Sequence, residues 1–275
     1  MKNLDPSIFV LIFLFFASSL NCRGDSNDKL FYDAVRAEAA GDLENAIEIY
    51  LDISQDAHSA NLHANLANLY FKTQDYARAI LHFRRALWID PQNRDYHANL
   101  SLALVENGVP KDDLHYLESS YSPNFQKYWL VGLSVWFWIG LLFSAFFFRF
   151  PMKNKTPVSI VLLWAIGMFL LGHGFIKSCH FSDLLNREVI AVNSLSGSKN
   201  SEMGLDLRVF AGKGSSANTK VPLGSSLFVD QDENGLPRIH HSPSGEKWFL
   251  VRDGSGTDKG WIHENEFAPV LDINW

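Results

Sequence analysis

The sequence is poor in cysteine and in clustered basic residues, and each shortage excludes a class of protein. Cys22 and Cys179 are the two cysteines among 275 residues, and 157 residues separate them. Two cysteines so far apart provide neither a disulfide framework nor the closely spaced thiolates of a zinc site. Residues 23–120 carry 9 basic against 16 acidic residues, and residues 177–275 carry 10 against 13. Nucleic acid is therefore not an expected partner, because phosphate binding needs clustered positive charge.

The short motifs that mark common enzyme classes are also missing. Neither Gly-x-Ser-x-Gly nor His-Glu-x-x-His occurs. The stretch AGKGSS at residues 211–216 is similar to a phosphate-binding loop, but Leu207 stands where the first glycine is required and Gly214 comes directly after Lys213. We therefore expect no catalytic residue, no metal site and no cofactor, and we predict that the protein is not an enzyme.

A short apolar run lies close to the start of the chain. Residues 8–17 read IFVLIFLFFA, which is the length of a signal-peptide core and too short for a transmembrane helix of ~20 residues. We expect residues 1–21 to be a signal peptide that directs the rest of the chain out of the cytoplasm. Two interpretations of its end stay open, namely cleavage after Ser19 and lipid attachment at Cys22.

Two longer apolar segments predict a pair of transmembrane helices. Residues 128–148 and 157–176 contain no charged side chain, and each is long enough to cross a bilayer. The turn between them, residues 149–156, contains Arg149, Lys153 and Lys155 without an acid. Positive turns stay in the cytoplasm, so both larger parts of the chain are expected on the opposite, periplasmic side of the bacterial inner membrane.

The part before these segments contains an internal repeat. His63-Ala64-Asn65-Leu66 recurs 34 residues later as His97-Ala98-Asn99-Leu100, and 34 residues is the period of the tetratricopeptide repeat, a pair of antiparallel helices. With Ala60 as position 1, residues 60–93 carry small and large residues where that family packs them: Leu66, Ala67, Tyr70, Ala79, Phe83, Ala86 and Pro91. Residues 27–120 thus resemble a region of two to three such repeats, in which 60–93 is the best unit and 111–119 the partner helix of a third.

The resemblance to tetratricopeptide repeats implies binding of peptides or partner proteins in a groove lined by the first helix of each unit. The groove residues that we predict by repeat position are Asn61, Asn68, Lys72, Asp95 and Leu102. Some family members clamp a peptide carboxylate at the position of Asn68. The basic partners of that clamp are missing here, since Ala64 stands at the neighbouring groove position.

The part after the apolar segments has the pattern of a small all-β domain. Five short strands are predicted at Glu188–Val192, Leu205–Phe210, Ser226–Asp230, Lys247–Arg252 and Gly260–His263, an arrangement typical of a small closed barrel. The stretches LDLRVFAGKGSS, KWFLV and GWI resemble, in order, those of bacterial SH3-like domains, which implies such a domain over residues 187–271. Trp248 and Trp261 are its candidate surface for stacking a ligand, and their alternative role is to fill the core or the rim.

The order of these parts resembles the BatE-like branch of the Bat (Bacteroides aerotolerance) family. The expected fold class is therefore multidomain, with all-α tetratricopeptide repeats, two transmembrane helices and a small all-β SH3-like barrel. The resemblance implies a membrane-anchored scaffold that works in aerotolerance, oxidative or envelope stress. Its implied partners are membrane proteins with von Willebrand A domains and a MoxR-type ATPase. The alternative function is a cell-wall sensor whose SH3-like domain binds peptidoglycan.

Overall fold

The computed structural model describes residues 24–57, 59–110, 123–149, 156–193, 204–254 and 256–271. The predicted signal peptide, Cys22, residues 150–155 of the turn predicted at 149–156 and the helix predicted at 111–119 lie outside these ranges. The chain divides into two compact units, one ending at His58 and the other beginning at Ser59.

The first unit contains one antiparallel helix pair, α1 (Gly24–Ala39) and α2 (Leu43–Asp56). Asp42 caps α2 by accepting a hydrogen bond from the backbone N–H of Asn45 at 3.4 Å, which satisfies one of the free donors at a helix start. Ala34, Ala46 and Tyr50 are fully buried between the helices. This helix pair lies within residues 27–120, which the sequence predicts as helical repeats; that it is itself a tetratricopeptide unit stays a prediction.

The second unit opens with three helices that match the predicted repeat. They are α3 (Ala60–Lys72), α4 (Tyr76–Ile89) and α5 (Arg94–Glu106). Ala67 on α3 and Ala79 on α4 are fully buried, and their small side chains let the two helices approach closely. Phe83 fills the adjacent space at 1% exposure. α5 directly follows the repeat at 60–93 and stands where the first helix of a third unit would come.

A long helical hairpin comes next, formed by α6 (Pro123–Arg149) and α7 (Thr156–Leu185). Trp136 donates its indole N–H to the carbonyl oxygen of Trp164, and Trp164 donates to that of Trp136, both at 3.0 Å. Each indole lies against a glycine of the opposite helix, Trp164 against Gly140 and Trp136 against Gly167. A side chain at either glycine would occupy the position of the indole. The two glycine–indole contacts therefore determine how closely the helices pack.

Among the described residues, one helical stretch, Val161–Leu185, is long and apolar enough to cross a membrane by length and composition. The sequence predicts two such stretches, and the prediction is not confirmed for 128–148, which lies within α6.

The described residues after α7 contain one antiparallel sheet of eight strands. The strands are β1 (Glu188–Ala191), β2 (Gly204–Arg208), β3 (Ala217–Pro222), β4 (Ser226–Val229), β5 (Ile239–His241), β6 (Lys247–Asp253), β7 (Lys259–His263) and β8 (Phe267–Pro269). Their order is β3-β2-β7-β6-β4-β1-β8, and β5 pairs with β6. Leu205, Leu227, Val251 and Ile262 belong to the core of this sheet.

The prediction of a closed barrel is wrong, because β3 and β8 end the order of strands without pairing with each other. Asn218 and Lys220 on β3 are exposed, and polar and charged residues are typical of a strand that stays at an edge. Within the sheet, β7 approaches β2 so closely that a Cβ at Gly260 would lie 2.6 Å from Leu207 Cβ. Glycine at this position is therefore a packing requirement.

Candidate functional site

The five predicted groove residues lie on the two first helices of the repeat units, α3 and α5. Asn61, Asn68 and Lys72 are on α3, and Asp95 and Leu102 are on α5. Four of these residues are exposed and Asn68 is half-buried. The structure thus has four of the five side chains at the surface, and their role in binding a partner stays a prediction.

One of these residues also joins the two helices. The Tyr96 hydroxyl on α5 donates a hydrogen bond to Asn61 Oδ1 on α3 at 2.6 Å. Burial raises the pKa of Tyr96, and the carboxylates of Asp90 and Asp95 add to the effect. The hydroxyl therefore stays protonated and remains a donor, and Asn61 has a positioning role between α3 and α5.

Two exposed aliphatic side chains lie on α5. Leu102 is 49% exposed and Val105 is 53% exposed. Together with polar side chains such as Asn68 and Lys72 on α3, they have the composition that suits a partner with one apolar anchor and flanking polar groups. We use the name α3/α5 face for these residues of the two first helices: Asn68, Lys72, Asp95, Leu102 and Val105.

The second helix of the repeat has a different environment, since α4 packs against the sheet. Arg84 Nη1 lies 2.9 Å from Glu188 Oε1 on β1, and the two side chains are 2% and 1% exposed. The Ser226 hydroxyl on β4 donates a further hydrogen bond to Glu188 Oε1 at 2.6 Å. A buried carboxylate needs partners of this kind to offset its desolvation.

Three more contacts join the helices to the sheet. Arg85 Nη2 donates to the carbonyl oxygen of Pro269 at 2.8 Å, and the Asn107 side-chain amide donates to the carbonyl oxygen of Leu223. Gly224 lies so close to α4 that a Cβ there would be 2.7 Å from Ile80 Cδ1. The sheet is therefore packed on the repeat, and the two are parts of one body.

The burial of Trp248 corrects the prediction that this residue belongs to a ligand-stacking surface of the sheet. This side chain is fully buried, with the Arg208 guanidinium 5.2 Å from its ring centre. Arg208 in turn makes a two-pronged ion pair with Glu266 at 2.7 and 3.0 Å. Trp248 fills space under this ion pair, so of the two roles considered it has the structural one.

Trp261, by contrast, is half-buried and lines a cleft. The cleft has a volume of about 370 Å³ and is bounded by Arg208, Val209, Asn218, Leu250, Lys259, Gly260 and Trp261. Lys259 Nζ lies 2.7 Å from Asp230 Oδ2, so its charge is already neutralised by a neighbour. Burial alone would raise the pKa of Asp230, but hydrogen bonds from Lys259 and Arg252 lower it. The cleft thus presents one aromatic ring and little net charge.

Sequence reasoning missed the junction between α4 and the sheet. Arg84 lies between Phe83 and Ala86 on the apolar side of α4. A charged residue among apolar ones indicates a buried partner of opposite charge, and this was the signal that the sequence offered. Its partner Glu188 is 104 positions away, and no local pattern connects them.

Comparison with known families agrees with the repeat. A family model of the tetratricopeptide repeat matches residues 60–93, the unit that the sequence pattern selects. No curated protein and no solved structure matches the chain. Residues 60–93 are therefore a tetratricopeptide repeat within a larger helical region.

Proposed function

We propose that this protein is a non-enzymatic interaction scaffold whose α3/α5 face binds a peptide or a helix of a partner protein. Tetratricopeptide repeats typically bind proteins or peptides, and the one here covers residues 60–93. The observation that carries the proposal is the difference between the two sides of the repeat. The sheet covers α4 through the buried Arg84–Glu188 pair, whereas Leu102 on α5 is exposed.

We also infer that the α6–α7 hairpin anchors the protein in a membrane. Apolar side chains such as Leu142 on α6 and Leu163 and Phe169 on α7 are 65–73% exposed. Apolar surface of this extent is costly in water, at ~25 cal/mol per Å², and is stable in lipid. This exposure supports a lipid environment for both helices.

The packing of the sheet on the repeat favours two crossings over one. Arg84 precedes the hairpin and Glu188 comes after it, and the two are in direct contact. Groups in contact lie on one side of a membrane, so the chain between them crosses an even number of times. If α7 crosses, α6 crosses as well. The positive turn at 149–155 then lies inside the cell, and the soluble parts face the periplasm.

Labelling of introduced cysteines tests this arrangement. In a Cys22→Ser, Cys179→Ser background, Glu44→Cys, Glu233→Cys and Lys153→Cys are each exposed to a membrane-impermeant maleimide in spheroplasts. We expect labelling at positions 44 and 233 in intact spheroplasts, and at position 153 after lysis alone. Labelling at position 233 only after lysis would contradict the proposal that the repeats and the sheet lie on the same side of the membrane.

The order of parts supports a finer proposal, that the scaffold belongs to a Bat-type envelope system. The partners would then be von Willebrand A-domain membrane proteins and a MoxR-type ATPase, and the process would be aerotolerance or envelope stress. The support is the resemblance of domain order, together with the tetratricopeptide match at 60–93.

Co-purification tests the scaffold and its partners together. Tagged full-length protein is extracted from its native membrane in mild detergent, and bound proteins are identified by mass spectrometry. We expect Leu102→Asp to remove the partners, because a charge at an apolar anchor is costly to bury. Leu236→Asp, in the loop between β4 and β5, should keep them. Partners that bind both variants equally would show that the α3/α5 face is not the docking site.

The cleft beside Trp261 supports a second candidate, a cell-wall sensor that binds peptidoglycan. An exposed aromatic ring stacks on the apolar faces of sugars, and Trp261 lines the cleft. Full-length protein in detergent is sedimented with purified wall sacculi. Binding that is lost in Trp261→Ala and kept in Leu236→Ala would support this candidate, and no sedimentation of the wild type would end it.

A further inference from the structure

Two histidines lie against each other inside the tetratricopeptide repeat. His63 on α3 and His82 on α4 are 4% and 3% exposed, and their Nδ1 atoms are 3.3 Å apart. The ring of Tyr70 stacks on His82 at 5.4 Å between centres and an interplanar angle of 17°. The pair therefore forms part of the packing between the two helices of the repeat.

At this distance the two nitrogens can share one hydrogen bond. In the neutral pair, Nδ1–H of one ring donates to Nδ1 of the other, which then carries its own proton on Nε2. When both rings are positively charged, both Nδ1 atoms carry hydrogen and no acceptor is left between them. Two like charges then face each other at 3.3 Å among buried side chains, where their repulsion is stronger than in water.

The surroundings of the pair also oppose added positive charge. Burial lowers the pKa of His82 well below its ordinary value, and the charges of Arg85, His63 and Arg78 act in the same direction. Asp75 is engaged with Arg78, and Tyr70 is kept neutral by burial, which raises its pKa.

The other elements packed on α4 contribute charged groups that are already matched or lie at the surface. Glu188 of β1 pairs with Arg84. At the start of α5, Asp95 is exposed and the Tyr96 hydroxyl is bonded to Asn61.

We propose that His63 and His82 form a proton-sensitive joint that loosens the packing of α3 on α4 when the surrounding compartment becomes acidic. The inference goes beyond the scaffold function, and its test needs no partner. If the repeat is exported, as proposed above, the pH of its compartment follows the pH of the medium outside the cell.

The direction of the effect is set by proton linkage. In the unfolded chain a histidine titrates near its ordinary value of ~6.5, whereas burial holds the pKa of His82 in the folded protein well below that value. The unfolded state therefore binds more protons in between, and stability rises with pH there. The contribution is fully present above pH ~6.5 and is lost progressively as the pH falls below it.

Thermal unfolding of full-length protein in detergent micelles, monitored by tryptophan fluorescence, tests the joint. We expect the wild-type midpoint to fall by ~2–4 °C or more between pH ~7.5 and pH ~5.5. His82→Asn keeps a hydrogen-bonding group near the position of Nδ1 but cannot titrate, so its midpoint should fall clearly less. His241→Asn, at an exposed histidine of β5, should behave as the wild type.

Imidazole NMR of the wild-type protein keeps the proposal testable if His82→Asn does not fold. We expect the His82 resonance to stay in its neutral position down to pH ~5.5, below the ordinary histidine value of ~6.5. A His82 resonance that already shows the charged form near that ordinary value would overturn the proposal. Equal pH-dependent falls of the midpoint in the wild type and a folded His82→Asn would overturn it as well.

Discussion

At the residue scale, Arg84 and Glu188 place opposite charges inside the junction between the repeat and the sheet. Removal of two charges from water is expensive, and their attraction at 2.9 Å offsets that cost only in part. Ile80 beside Gly224 contributes apolar contact to the same junction. The ion pair therefore determines where the sheet docks more than it increases the stability of the fold.

Substitution at Glu188 tests this reading of the junction. We expect Glu188→Met to lower the free energy of unfolding by about 3–5 kcal/mol, since it leaves the Arg84 guanidinium buried without its carboxylate. The double variant Arg84→Met, Glu188→Met should recover most of that loss, because no uncompensated charge remains.

The measurement is chemical unfolding of the full-length protein in micelles. Lys213→Met, which breaks the exposed Lys213–Glu246 pair of the same sheet, serves as the control and should leave the midpoint almost unchanged. If the double variant is no more stable than Glu188→Met, the pair contributes net stability and our interpretation is wrong.

At the element scale, the turns of the repeat units share one backbone conformation. Gly41, Gln74 and Gly108 succeed each other at spacings of 33 and 34 residues, and their φ angles are +81°, +62° and +68°. Left-handed backbone suits glycine and strains other residues. The second turn therefore carries a strain that the first and third do not.

Exchange of residues at these turns has opposite expected effects. Gln74→Gly should raise the free energy of unfolding by up to about 1 kcal/mol, and Gly41→Ala should lower it by about 1 kcal/mol. A Cβ at Gly41 meets no atom within 4 Å, so its cost is conformational and not steric. Thermal midpoints of the two variants measure both effects, and a destabilising Gln74→Gly would contradict the common turn.

The glycines of the hairpin allow a matched comparison. Gly140→Ala should lower the thermal midpoint in micelles, because the new methyl group would occupy the place of the Trp164 indole and break its hydrogen bond to α6. Gly172→Ala, on α7, meets no atom within 4 Å and is the control. Equal midpoints for the two variants would show that the indole–glycine contacts do not hold the hairpin.

The parts of the fold with regular local patterns could be predicted from sequence. Ala67 and Ala79 recur at repeat positions, and α3, α4 and α5 could be predicted for that reason. Strands β3, β5 and β8 were missed, since β5 and β8 contain three residues each and β3 is largely polar. Such strands lack the alternation of apolar and polar residues that identifies a strand.

The candidate site was predicted in part for the same reason. The α3/α5 face is defined by repeat positions, which are local, and its residues are at the surface. The sequence does not show which of Trp248 and Trp261 is buried. The tertiary fold buries Trp248 and leaves Trp261 half-buried. The docking of α4 on β1 depends on residues far apart in the chain and left no periodic pattern.

At the scale of the whole molecule, the sheet and the repeat that begins at Ser59 belong to one compact unit. A scaffold of this kind presents its open face in a fixed orientation relative to the sheet. Preorganisation reduces the entropy that a partner loses on binding. The central claim is therefore that partners meet the α3/α5 face while the sheet holds the other side of the repeat.

Site-specific photo-crosslinking in living cells tests that claim most directly. In the full-length protein, a photoreactive phenylalanine analogue replaces Leu102 on the α3/α5 face. The matched control position is the exposed Leu236, in the loop between β4 and β5. We predict a discrete crosslinked product from position 102 and none of the same mass from position 236. Crosslinks from position 236 alone would contradict the claim and assign partner binding to the sheet.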